Sequence, residues 1–242
     1  MLGIISGTIF LQELDQFKYM ESVLKVNEFG QARVLLSDSV ALVPRHGIDP
    51  EHHILPHLIN HYANMKALLD IGAHEVIGIN STGSMRKNLK TGSIVIPDDF
   101  ITLVPSPSIY LDKPLHVVPC LNLKVRGNCL EAAARCGIDV KDGGTYWQTT
   151  GPRLETKAEI KMMSTFADLV GMTMASEATI AVELGLPYAS ICSIDNYANG
   201  VGENDLTFEE INQHAQTNRE TILRIVSMYI SCYLTDPDKR DK

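Results

Sequence analysis

Four places in this sequence set a hydroxyl, a guanidinium or small-residue amides directly after a short apolar run. Leu2–Ser6 leads into Gly7-Thr8, and Val40–Pro44 into Arg45-His46-Gly47. Residues 75–80 lead into Ser81-Thr82-Gly83-Ser84, and residues 168–171 into Met172-Thr173. If the apolar runs are neighbouring strands, these groups converge at one sheet edge. One fixed positive charge with several neutral donors makes a pocket for an oxyanion. Inorganic phosphate suits it better than a nucleotide, since the chain has no Gly-x-x-x-x-Gly-Lys loop and no Gly-x-Gly-x-x-Gly after a strand run. Any one of these turns alone would pass as an ordinary strand-to-loop connection; the argument rests on all four.

Other reactive side chains carry less. His52, His53, His57 and His61 cluster, and 53, 57 and 61 fall at helical i, i+4 spacing, which could form a zinc face. No Cys lies nearby and His-Glu-x-x-His is absent, so a polar helix start is expected and no metal site is assigned. Asp98-Asp99 could be an acid/base pair, but adjacent strand residues point to opposite faces, so a turn is expected. Cys192 sits in mid-strand with no neighbouring His and reads as buried packing rather than a nucleophile.

The chain that must position these groups has 242 residues, 45% of them apolar, enough for one large α/β domain, or at most two small ones, with a sizeable core. Its 29 acidic against 21 basic residues give a net charge of −8. No basic stripe marks a nucleic-acid binder. No apolar run approaches the roughly 18 residues of a membrane span. Met1–Ser6 lacks a basic start and a cleavage site, and reads as a first strand. Five widely spaced cysteines without a secretion signal read as reduced thiols of a cytoplasmic protein.

Strands are expected at Leu2–Ser6, 33–36, Val40–Pro44, 75–80, 93–97, 145–149, 168–171 and 189–194. Several are apolar on consecutive residues, as for strands covered on both faces. Helices are expected at 56–71, 123–136, 156–166, 176–184 and 208–233. In the last, Ile211, Ile222, Ile225, Val226, Tyr229 and Cys232 recur at helical spacings. The alternation argues for a wound α/β sheet, whose sites form at the carboxyl ends of strands.

Two longer motifs then become recognisable, Gly151-Pro152-Arg153-Leu154-Glu155-Thr156 and Val170-Gly171-Met172-Thr173-Met174-Ala175-Ser176-Glu177. Together with Arg45-His46-Gly47, Tyr62-Ala63-Asn64 and Asn80-x-x-Gly83-Ser84, they make nearly the whole chain resemble the trimeric purine nucleoside phosphorylase and methylthioadenosine phosphorylase family. The resemblance implies one α/β domain over residues 1–242, with a mixed, twisted central sheet flanked by helices. It also implies a homotrimer with the site near a subunit interface, and phosphorolysis of a purine nucleoside. Inorganic phosphate is then a co-substrate, with no metal or organic cofactor, no nucleic acid and no membrane as partner.

Carried over residue by residue, the resemblance puts Thr8, Arg45, His46, Ser81 (through its backbone amide) and Thr173 on phosphate, and Met172 under the ribose. Leu154, Glu155 and Asn196 match purine-facing positions. Glu155, Asn196 and His46 are the expected catalytic groups. An ionised Glu155 can only accept a hydrogen bond, so it fits the N1–H of a 6-oxopurine and not the bare N1 of adenine. The Asn196 amide can donate to O6 and accept from a protonated N7. A competing role for Glu155 is to support the dipole of the helix that follows it. Phe208 stands where relatives acting on a free 5′-hydroxyl usually carry a polar residue, which favours an apolar 5′ group; Leu206 or Thr207 could take the same place, and Phe208 could instead brace the helix.

The expected reaction is phosphate-dependent cleavage of 5′-methylthioinosine or another 6-oxopurine nucleoside to free base and sugar 1-phosphate. Release of adenine from methylthioadenosine is the alternative, and a silent nucleoside-binding protein a further one. Three departures from the family pattern stand out. Ser81-Thr82 replaces small apolar residues and could add a hydroxyl to the phosphate site. The 48–53 segment is slightly long. The chain stops soon after its last helix, so no long lid is expected there. His116 is the candidate contribution from a neighbouring subunit.

Overall fold

The computed structural model describes residues 1–7, 19–49, 51–104, 107–110, 112, 116–203 and 208–236. The eleven strands of its single sheet are β1 (Leu2–Ser6), β2 (Glu21–Asn27), β3 (Gly30–Leu36), β4 (Val40–Pro44), β5 (Glu75–Ser84), β6 (Ile94–Ile96), β7 (Asp99–Thr102), β8 (Lys141–Asp142), β9 (Thr145–Gln148), β10 (Leu169–Gly171) and β11 (Tyr188–Tyr197). The α-helices are α1 (His61–Asp70), α2 (Leu123–Arg135), α3 (Lys157–Met163), α4 (Met174–Glu183) and α5 (Phe208–Thr235).

Strands run in the order β2-β3-β4-β1-β5-β10-β9-β7, and β11, β6 and β8 extend the sheet from the other edge of β5. β1 is parallel to β4 and β5, β11 is parallel to β5, and β10 is antiparallel to β5. Period-two alternation sorts the strand residues to two faces. Ile5, Val43, Val76 and Cys192 join one core with Met65, Leu68, Ala178 and Ile180 from α1 and α4. Leu2, Ile4, Leu42, Ile77 and Ile79 join the other with Val125, Ala132, Ile222 and Tyr229 from α2 and α5. A third cluster, of Trp147, Ile160, Met163 and Val170, seats α3.

Strand β5 decides where the site forms. Along one edge it pairs with β1 from Glu75 to Ile79, and with β10 at Gly83 and Ser84. Between those partners, residues 80–82 face no strand on that edge among the described residues. This is a break at the carboxyl ends of β1 and β4, where the chain direction of the neighbouring strand reverses.

The expected elements appear with three additions and some trimmed ends. β2, β7 and β8 were not anticipated. β2 is an edge strand of mostly exposed and half-buried residues, so hydrophobic periodicity marks it poorly. The helix expected over 56–71 divides into a 3₁₀ turn, Pro56–Leu58, and α1. Asn60 makes the division, because its side chain accepts from the Ala63 N–H at 3.0 Å and caps α1. α3 ends earlier than expected; it is closed at its start by a capping box between Thr156 and Glu159. α4 begins at Met174, two residues sooner than expected, with Thr173 as its N-cap residue.

Candidate active site

The break beside β5 gathers most of the groups suspected from the strand ends. Ser6 pairs with both Pro44 and Ile79, so Gly7, Arg45 and Asn80 emerge side by side. A Cβ built on Gly7 would lie 3.6 Å from His46 Cδ2, which puts the imidazole over that backbone. Thr173, at the start of α4, reaches across and donates from Oγ1 to Asn80 Oδ1 at 2.8 Å. Thr8 lies outside the described residues.

Arg45 is not a surface cation. Its side chain is 3% exposed and donates to the carbonyls of Ile79 (2.7 Å) and Ile5 (2.9 Å) and to Glu177 Oε2 (3.2 Å). Its Nε also sits 2.7 Å from Glu177 Oε1, without the alignment of a hydrogen bond, so that contact is ionic. Burial raises the Glu177 carboxyl above the usual range, and Arg45 and the Tyr188 hydroxyl (2.8 Å) pull it back. The guanidinium is thus held beside the break by a carboxylate and two carbonyls.

His46 places Nδ1 2.7 Å from the Ile54 carbonyl and stacks on His53, with ring centroids 4.6 Å apart. A carbonyl only accepts, so Nδ1 carries the proton and Nε2 of the neutral ring is an acceptor. Burial, with Arg45 adding repulsion, lowers the His46 pKa to about 4. His61, at the start of α1, is lowered to about 3 by burial and then by Arg45 and His46. The i, i+4 histidine face does not form on one helix: His57 sits in the 3₁₀ turn and His61 opens α1.

Ser81 is exposed in β5 opposite Ser193, at the centre of the break. Ser81 helps to hold the Asp195 carboxyl down, and the Thr82 hydroxyl donates to the Ser193 carbonyl at 2.7 Å. The Thr82 hydroxyl is thus engaged with strand β11, while the Ser81 side chain stays exposed.

Of the positions expected to face the purine, Asn196 lies near the end of β11, and Leu154 and Glu155 lie in the loop between β9 and α3. Asn196 stands opposite Gly83, and a Cβ on Gly83 would fall 3.0 Å from Asn196 Nδ2. Glu155 is buried, and its Oε1 accepts from Thr149 Oγ1 at 2.6 Å. Its backbone carbonyl accepts from Asn199 Nδ2 at 3.0 Å, which ties the 151–156 loop to the segment after Asn196. The carboxylate turns toward Thr149, while Glu159 does the capping of α3, so Glu155 does not serve that helix end. Met172 packs on Gly151, where a Cβ would come within 2.5 Å of its sulfur, and so bridges Thr173 and the 151–156 loop. Leu154 stays 43% exposed. Phe208 opens α5, but its side chain, like Leu206 and Thr207, lies outside the described residues.

Asp98 accepts from the Gly144 N–H at 2.9 Å, and Asp99 starts β7. The Cys192 thiol is buried and pushed up to about 12, chiefly by desolvation. His116 is exposed in the segment before α2. Asn80, Glu177 and Asp195 were given no role from sequence. For Glu177 the signal was a carboxylate inside the otherwise apolar stretch of α4, which needs a buried partner.

Residues 2–231 match the sequence model of the Phosphorylase superfamily. A probable 6-oxopurine nucleoside phosphorylase of Archaeoglobus fulgidus is 42% identical over 93% of this chain and 94% of its own. A probable S-methyl-5′-thioinosine phosphorylase of Methanocaldococcus jannaschii is 35% identical over 96% of this chain and 92% of its own. Among solved structures, a Q289L mutant of adenosine/methylthioadenosine phosphorylase from Schistosoma mansoni, in complex with adenine, superposes with a TM-score of 0.86 at 22% identity, covering 97% of this chain and 92% of that one. At that identity the likeness speaks for the fold.

Proposed function

Because the chain belongs to the Phosphorylase superfamily, we propose that it is a pentosyltransferase that cleaves 6-oxopurine nucleosides with inorganic phosphate, 5′-methylthioinosine foremost. One observation carries the reading. A break suited to an oxyanion, at residues 80–82, and the Asn196 amide over Gly83 lie at successive positions of one strand end. Phosphate and base would then bracket a sugar.

In this reading a phosphate oxygen forms the new bond to C1′ as the C1′–N9 bond breaks. The electron pair moves into the purine, N7 takes up a proton from water, and the new sugar 1-phosphate gives its phosphate proton up to water. The Ser81 amide, the Thr173 hydroxyl and the Arg45 charge hold phosphate against C1′. Thr173 would exchange its Asn80 acceptor for a phosphate oxygen by rotating its hydroxyl. His46 Nε2 accepts a hydrogen bond from the hydroxyl of hydrogen phosphate while Ile54 keeps the ring in place. Glu155 accepts from N1–H, and the Asn196 amide stabilises charge at O6 and N7 in the transition state.

The active assembly is proposed to be a homotrimer in the cytoplasm. Ile48, Ile54, Leu55 and Leu58, all at least 40% exposed, form an apolar margin on the segment that carries His46, where a neighbouring subunit would close the site. The five cysteines are free thiols, as a reducing compartment requires.

The test is base release from a nucleoside panel with and without phosphate. Release that needs phosphate supports the enzyme; binding without turnover would leave a nucleoside-binding protein.

A further inference from the structure

Strand β11 pairs with β5 in straight parallel register from Tyr188 opposite Val76 to Ile194 opposite Thr82. It then skips a residue, so that Asn196 stands opposite Gly83 and Tyr197 opposite Ser84. Asp195 is the extra residue of a β-bulge. Straight pairing would put Asn196 opposite Ser84 instead. The difference is steric: Gly83 has no side chain, and the Asn196 amide fills that space. Ser84 has one, and its hydroxyl is already engaged with the backbone of Arg86 at 2.8 and 3.1 Å.

The bulge is tied down from two sides. Asp195 is 1% exposed, and Asn218 of α5 is 3% exposed. Asn218 Nδ2 donates to Asp195 Oδ1 at 2.7 Å and to the Ile194 carbonyl at 3.0 Å. Ser193 Oγ donates to Asp195 Oδ2 at 3.0 Å. His214 Nδ1 lies 3.0 Å from the Asp195 carbonyl. Burial raises the Asp195 carboxyl, and the Ser81, Asn218 and Ser193 donors pull it back, as expected for a carboxylate that accepts from every side. A carboxylate held this way beside a site, touching no ligand position, needs a reason other than packing.

We propose that Asp195 and Asn218 are positioning residues for base recognition: their bond fixes the bulge that sets the Asn196 amide over Gly83. This rests on the base-reading role given to Asn196 above. Helix α5 then aims a side chain it does not carry, and the Thr82 hydroxyl, bonded to the Ser193 carbonyl, is the β5 half of the same tie.

The test is Asn218→Ala, with Asn218→Ser as a milder variant that keeps one donor. Steady-state kinetics are read with inosine and adenosine as nucleosides and with phosphate varied separately. For Asn218→Ala the expected result is a nucleoside kcat/KM about tenfold or more below wild type, with the inosine-to-adenosine ratio moving toward one, while the phosphate KM stays within about twofold. Asn218→Ser should fall between. Unchanged nucleoside kinetics, or nucleoside and phosphate KM rising together, would overturn the proposal, the second outcome marking a merely structural role. A wild-type enzyme with no base preference would sink the reading of Asn196, yet the split between nucleoside and phosphate KM in Asn218→Ala would still decide whether the tie positions the nucleoside side of the site.

Discussion

Arg45 and Glu177, 132 residues apart in the chain, form an ion pair with both side chains out of solvent and Nε 2.7 Å from Oε1. Such a pair adds little net stability over apolar groups of the same shape, but losing one partner leaves a buried charge, at about 3–5 kcal/mol. Arg45→Ala should therefore lower stability by up to that amount and also raise the phosphate KM. The two effects separate in Arg45→Met combined with Glu177→Leu. That pair should recover most of the lost stability in thermal melts while phosphate dependence stays impaired. Recovery of both would mean that Arg45 only fills space.

Glu155→Gln keeps the shape of the carboxylate and its bond with Thr149 but loses the charge facing N1–H. The expected fall in kcat/KM for 6-oxopurine nucleosides is about ten- to a hundredfold, the transition-state loss of a charged hydrogen bond. Adenosine turnover should fall less. Equal losses on both bases would remove Glu155 from base recognition.

Gly83→Ala probes the same end of the site from β5. Its Cβ would lie 3.0 Å from Asn196 Nδ2 and 3.2 Å from Val170 Cγ1, so the amide must shift by a few tenths of an ångström. Nucleoside kcat/KM should drop with the phosphate KM held. A drop confined to phosphate would place Asn196 elsewhere in the reaction.

The buried histidines make stability depend on pH. Both have folded pKa values below the ordinary 6.5, His46 at about 4 and His61 at about 3. The unfolded chain binds their protons first, so their contribution is whole above about pH 6.5 and is lost as pH falls from there toward the folded values. Each histidine contributes a slope of at most about 1.4 kcal/mol per pH unit in that window. Urea unfolding between pH 7 and 5 should show the loss, and His61→Phe should flatten it. A His61→Phe slope equal to wild type would mean His61 is not held neutral.

What could be read in the sequence, and what could not, follows from how local each signal is. The four strand ends were legible because apolar runs and the residues after them are contiguous. Three of the four anion groups fall within the described residues and meet beside β5; Asn196 stands opposite Gly83 of that strand, and the Glu155 loop is tied to the segment after Asn196 through Asn199. The partners of those groups were not legible. Glu177 finds Arg45, Asn80 finds Thr173 and Asn218 finds Asp195 only through the three-dimensional fold. The bulge at Asp195 leaves no periodic trace, since one added residue in an apolar strand looks like the strand continuing. The Ser81-Thr82 pair suggests an added hydroxyl for phosphate because the sequence shows it next to the site and hides that β11 passes beside it.

The central claim is that a carboxylate and an amide choose the base while phosphate attacks the sugar. The most direct check is competition among inosine, adenosine and their 5′-methylthio forms in saturating phosphate, with released hypoxanthine and adenine quantified together. The account predicts hypoxanthine in about tenfold excess or more, the factor expected when a buried hydrogen-bonding site meets the wrong partner. Adenine in equal or greater amount would contradict it.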